Sequence, residues 1–144
     1  MLILQDMGPF VKLFNIDVPY ETMIHARHFY RLTRYLEQNT NRLVLKRGGN
    51  HIALQRKDIE EVLDVSTSST FRFLRESHEK HIIVNCRIRD IDKGFYINPL
   101  YALNGSGISV ELYLLFDHDP KLEKELKDKD KRRINEYLAI TGEK

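Results

Sequence analysis

The run Ser66, Thr67, Ser68, Ser69 is followed within two helical turns by Arg72 and Arg75. Hydroxyls of this kind hydrogen-bond phosphate oxygens, and arginines either clamp phosphates or read guanine edges with paired N–H groups. If the run opens a helix, its free backbone N–H groups and partial positive charge add an anion site. A second basic group follows at Arg87, Arg89 and Lys93. Taken singly, a Ser/Thr run is often a solvated helix cap and surface arginines are common. The order in which these groups occur carries the argument for nucleic acid.

Other chemistries fit less well. His25/His28 and His78/His81 are spaced so that each pair shares a helical face, as metal ligands do. No nearby Asp, Glu or Cys completes a ligand set, so no metal is expected, and phosphate contact beside Arg27 is the simpler role for the first pair. Gly48-Gly49 and Gly105-Ser106-Gly107 lack the spacing of phosphate-cradling glycine loops. Cys86 alternates with Val84 and Ile88, which makes it a buried structural thiol and not a nucleophile. No carboxylate pair lies in an apolar setting and no Ser/His/Asp order is legible. Neither an enzyme nor a cofactor is expected.

The elements that would position these groups follow from hydrophobic periodicity. Residues 1–19 hold two extended apolar pieces parted by Gly8-Pro9. A helix is predicted from 21 to about 38, burying Met23, Ala26, Phe29, Tyr30 or Thr33, and Leu36, with His25, Arg27, His28, Arg31 and Arg34 on its opposite face. Two short β-like runs, 42–47 and 51–54, flank Gly48-Gly49 as a hairpin or tight loop. Residues 55–63 form a short helix with Ile59, Val62 and Leu63 inside. After Asp64-Val65, Ser66 caps a helix of about 67–80 that buries Phe71, Leu74 and part of Thr70 or Ser77. Its outward side chains would be Thr67, Ser68, Ser69, Arg72, Arg75 and Glu76.

Strands at 82–89 and 95–97 then form a hairpin, and Asn98-Pro99 stops it. Residues 100–103 read as a turn or short helix, and 108–116 lean towards strand. Residues 120–140 read as a charge-rich helix whose apolar positions break across 127–133, either a solvated tail or a dimerisation arm. The order helix, extended piece, short helix, turn, helix, hairpin gives an α+β class: a winged helix-turn-helix with a β-hairpin wing and an added C-terminal helix. A winged-helix DNA-binding domain over 1–119 and the charged helix over 120–144 are the expected parts.

Composition sets the frame for these assignments. The 144 residues are 42% hydrophobic and 31% charged, enough for one core. A lone cysteine excludes a disulfide framework and fits a reducing, cytoplasmic setting. No apolar run approaches the roughly 18 residues of a membrane helix, and residues 1–8 show neither basic leader nor cleavage site. The net charge of +2 hides a division. Residues 25–89 carry 13 Lys+Arg against seven acids, while each flank is net −2. The basic middle coincides with the expected helix-turn-helix.

Residues 53–117 resemble the replication/maintenance (RepL-type) proteins of Gram-positive plasmids, which are winged-helix proteins. The resemblance rests on Arg56-Lys57-Asp58-Ile59, on Val65-Ser66-Thr67-Ser68, and on Leu74 ahead of Ile82-Ile83. More particular are Gly94-Phe95-Tyr96-Ile97-Asn98-Pro99, then Asn104-Gly105, then Tyr113-Leu114-Leu115-Phe116. Lys80 departs from the pattern, standing where such folds often place glycine before the wing. The resemblance implies that the DNA-reading residues fall on the helix 66–75. The expectation is sequence-selective binding of double-stranded DNA, as a plasmid or phage replication-maintenance factor or a transcription regulator, with a homodimer and a host replication or transcription protein as further partners. The rival class is a winged helix that engages only a host protein.

Overall fold

The computed structural model describes residues 11–13, 18–86, 92–105 and 110–116. Strand β1, Val11–Leu13, precedes helix α1, Met23–Leu32, whose first turn is capped by the Thr22 hydroxyl accepting from the His25 N–H. A 3-10 turn, Thr33–Tyr35, continues α1. The buried stripe is His28, Phe29, Leu32, Thr33 and Leu36. It keeps the predicted Phe29, Thr33 and Leu36, but Met23 and the alternative Tyr30 are exposed and His28 is inside. Met23 occupies the first turn, and the core side of α1 is set instead by contacts of His25, His28 and Phe29 with aromatic rings.

The expected hairpin forms from β2, Val44–Arg47, and β3, Asn50–Ala53. Gly48 and Gly49 both have positive φ, 55° and 82°, the backbone of a tight two-residue turn that matches strand twist. Helix α2, Arg56–Leu63, buries Ile59 and Leu63 with Val62 packed at their edge. It ends at Asp64 in the left-handed conformation, whose N–H returns to the Glu60 carbonyl. Two residues later Ser66 caps helix α3, Thr67–Glu79.

Strands β4, Ile83–Cys86, and β5, Gly94–Ile97, pair antiparallel as predicted, and Cys86 is buried. Two assignments need correction. Residues 102–104 are strand β6, paired with β1, a contact between segments some 90 residues apart that no local pattern reveals. Residues 110–115 form helix α4 and not a strand, because Leu112 and Phe116 are buried at i,i+4 spacing. The charged segment 120–140 and its dimerisation reading lie outside the described residues.

Residues 41–43 join the hairpins. Leu43 N–H donates to Phe95 O (2.8 Å), Ile97 N–H to Asn41 O (3.0 Å) and Leu54 N–H to Leu43 O (2.9 Å). Arg42 and Tyr96 form an antiparallel bridge. The extended piece between α1 and α2 therefore lies between β5 and the root of β3.

Buried asparagines fasten this junction. Asn41, fully buried and left-handed (φ 60°), donates from Nδ2 to Ile97 O (2.9 Å) and Ala102 O (2.8 Å), and its Oδ1 accepts from Asn104 N–H (3.2 Å). Asn104 Nδ2 donates to Leu36 O at 2.6 Å. Asn98 bridges His81 O and Leu100 N–H. At Gly105, φ is 121° and an added Cβ would collide with Asn39 Oδ1, so glycine is required there. We expect Asn41→Ala to cost about 3 kcal/mol, since a buried N–H and two carbonyls lose their partners. In thermal denaturation the midpoint should fall by roughly 10 °C. A variant as stable as the parent would show that this junction is not what joins the sheets.

Candidate nucleic-acid interface

The rotation of α3 decides which side chains reach solvent. Its buried stripe is Thr70, Phe73 and Ser77: Thr70 and Ser77 are both inside, beyond the partial burial expected of one of them, and Phe73 takes the place predicted for Phe71 and Leu74. Thr70 and Ser77 tolerate burial because each hydroxyl donates to a carbonyl one turn back, Thr70 to Ser66 O (3.0 Å) and Ser77 to Phe73 O (2.8 Å). Phe71 is consequently half exposed and Leu74 only partly covered.

The outward stripe carries Thr67, Ser68, Phe71, Arg72, Arg75 and His78, all exposed. Among the described residues Arg72 and Arg75 enter no ion pair. Ser66 and Ser69 are committed to the cap: Ser66 Oγ accepts from Ser69 N–H (3.2 Å) and donates to Ser69 Oγ (3.1 Å). Thr67 and Ser68 present their hydroxyls beside the helix N-terminus, where N–H groups lack intrahelical acceptors. Lys93 is exposed at the start of β5, while Arg87 and Arg89 lie outside the described residues.

A depression of about 440 Å³ runs along this face between α3 and the β4–β5 hairpin, lined by Arg56, Phe71, Arg75, His78, Asn85 and Phe95 among others. A neighbouring one of about 420 Å³ shares Arg56, Asn85 and Phe95 and adds Lys93. The α3 stripe and Lys93 thus line two neighbouring depressions that share Arg56, Asn85 and Phe95. Arg56 was absent from the predicted site. Its guanidinium lies 4.8 Å from the Phe71 ring centroid and pairs with Glu60 at 2.8 Å. The exposure of Phe71 was recoverable in principle from the 70/73/77 spacing, but that spacing places two hydroxyl residues in the core and so reads as polar; Arg56, on α2, joins the site through its contact with Phe71.

Glu76 and the α1 histidines do not belong to the outward face. Glu76 accepts from Lys80 Nζ (2.7 Å), from Glu21 N–H (2.8 Å) and from His25 Nδ1 (2.6 Å). Lys80, the C-cap of α3, also reaches Pro19 O at 2.8 Å. Tyr20 donates to Ser77 Oγ at 2.6 Å, and its ring stacks 5.5 Å from Phe73. His28 meets the edge of the same ring at 5.3 Å. Segment 18–28 is thereby clamped to the inner side of α3, and the expected phosphate role of His25 and His28 is not supported. Arg31, an exposed residue, donates to Leu63 O at the end of α2 (3.3 Å).

Comparison with protein-family models, with curated proteins and with solved structures finds no match to this chain.

The clamp makes stability acid-sensitive. Burial pushes the Glu76 carboxyl up, but the hydrogen bonds from Lys80, His25 and Glu21 outweigh it and hold the group at about 2, against an ordinary 4.5. Burial, with His25 and Arg31 nearby, lowers the His28 imidazole below its ordinary 6.5. Both groups bind protons more weakly when folded, so their contribution is complete at neutral pH. The His28 part falls away below 6.5, and the Glu76 part between 4.5 and about 2. Glu76→Gln should flatten the fall in denaturation free energy between pH 4.5 and 2, leaving a residual slope from Glu37, which is also held low. Parallel curves for parent and variant across that window would contradict the clamp.

Proposed function

We propose that this chain binds double-stranded DNA sequence-selectively through a winged helix-turn-helix, with α3 as the recognition helix and β4–β5 as the wing. The observation that carries the reading is the exposed α3 stripe. Arg72 and Arg75 stand without acidic partners among the described residues, beside free hydroxyls at a helix N-terminus. Glu76, the acid on α3's inner side, is tied up in the clamp, and the exposed Glu79 stands at the C-terminal end of the helix, so the positive charge of the outward face is concentrated over 67–75.

Topology supports the same reading. A three-residue turn, Asp64-Val65-Ser66, separates α2 from α3. The strand-like piece before α2 pairs with β5, which gives the hairpin after α3 a sheet to stand on. An α-helix fits the major groove, of about 12 Å width, and such a hairpin follows the adjacent backbone. The residues that resemble the RepL-type plasmid proteins lie largely in this frame: Asn98, Asn104 and Gly105 hold the junction, and Ser66 caps α3. A replication-maintenance or transcription role for a plasmid or phage is the corresponding biological proposal.

A duplex recovered by selection from random DNA tests the reading. Replacing Arg72 and Arg75 by Ala should weaken binding of that duplex by about 30-fold or more, at roughly 1–3 kcal/mol for each base-reading arginine, and relax its sequence preference. Unfolding midpoints should be unchanged because both side chains are exposed. An electrophoretic shift identical to the parent's would remove α3 from the interface. Salt-insensitive association with a host protein, with no shift of DNA, would favour the protein-binding class.

A further inference from the structure

The β2–β3 hairpin contributes nothing to the α3 stripe, yet it has the features of a second backbone-contacting ribbon. Residues 44–53 include Lys46, Arg47 and His51 and no acid. The register sets Lys46 opposite His51 and Arg47 opposite Asn50, with pairing held up to the Gly48-Gly49 turn. All four of these side chains are exposed. Among the described residues Lys46 and Arg47 enter no ion pair, in contrast to Arg42, Arg56 and Lys80, each of which faces a carboxylate.

The ribbon is anchored where the wing is anchored. Leu43, just before β2, donates to Phe95 O, and Leu54, just after β3, donates to Leu43 O. Ala53 and Leu54 line the same depression as Lys93, Gly94 and Phe95. Arg56 and Asn85 carry that depression on to the α3 stripe. His51 Nδ1 lies 2.7 Å from Glu37 Oε2, and Glu37 also accepts from Thr40 Oγ1 and Arg42, so the ribbon's flank is tied to the end of the first helical segment.

We infer that the β2–β3 hairpin is a second DNA-contacting ribbon that lays Lys46 and Arg47 on backbone phosphates of the duplex held by α3. This inference rests on the DNA-binding reading. Neither side chain has the fixed geometry of a base reader at a two-glycine tip, so the pair adds affinity and not sequence choice. Each phosphate neutralised releases condensed counterions and steepens the salt dependence of binding by about 0.9.

The test uses the full chain and the selected duplex, with binding constants measured over a series of salt concentrations. Lys46→Ala with Arg47→Ala should make the log–log slope shallower by about 2 and leave the base preference unchanged. Equal thermal midpoints for the two proteins check that the exposed substitutions spare the fold. A parent-like slope with binding retained would overturn the ribbon alone. A parent chain that shifts no duplex at any salt would overturn both the ribbon and the reading beneath it.

Discussion

Phe73 is fully buried, and its neighbours in the buried stripe of α3 are hydroxyl side chains, Thr70 and Ser77. A buried hydroxyl without a partner costs about 1–3 kcal/mol. Here each is satisfied by the helix's own carbonyls, and Ser77 also receives the Tyr20 phenol. That arrangement fixes the rotation of α3 about its axis. Were Phe71 and Leu74 inside instead, Arg75 and Glu76 would trade their surroundings and the Glu76 clamp could not form. The outward set of Ser68, Phe71, Arg72 and Arg75 follows from Phe73 being the anchor.

Charge is sorted by the same frame. The acids nearest the core, Glu76 and Glu37, are each surrounded by several donors and held below the ordinary carboxylate range. Arg42 is paired with Glu37 and Lys80 with Glu76. The described cations that face outward along α3, at Lys93 and at the β2–β3 tip are without acidic partners among the described residues. The donors around Glu76 and Glu37 confine the charge of those two acids, while Glu61, Asp64, Glu79 and Asp92 remain exposed on the surface.

Much of this was legible in the sequence. The two hairpins, the tight turn after Leu63 and the Ser66 cap follow from glycine placement, alternation and capping chemistry. The face of each helix was harder. In α1 and α3 the buried stripes contain His28, Thr33, Thr70 and Ser77; hydropathy counts His28 as outward and gives Thr33, Thr70 and Ser77 only as alternative or partial core positions. Their burial depends on partners distant in sequence, as with Tyr20 and Ser77, 57 residues apart. The β1–β6 pairing and the asparagine junction are long-range in the same sense. For the site, the arginines and hydroxyls were found by type and spacing. Phe71 and Arg56 emerged only once the rotation of α3 was known.

Titrating the labelled full chain with its selected duplex, and following backbone amide shifts, tests the central claim most directly. The account predicts the largest changes over residues 66–75 and at Lys93, with the clamped segment 18–28 behind α3 nearly silent. Changes concentrated on the exposed first turn of α1, at Met23 and Ile24, with α3 unmoved, would contradict it.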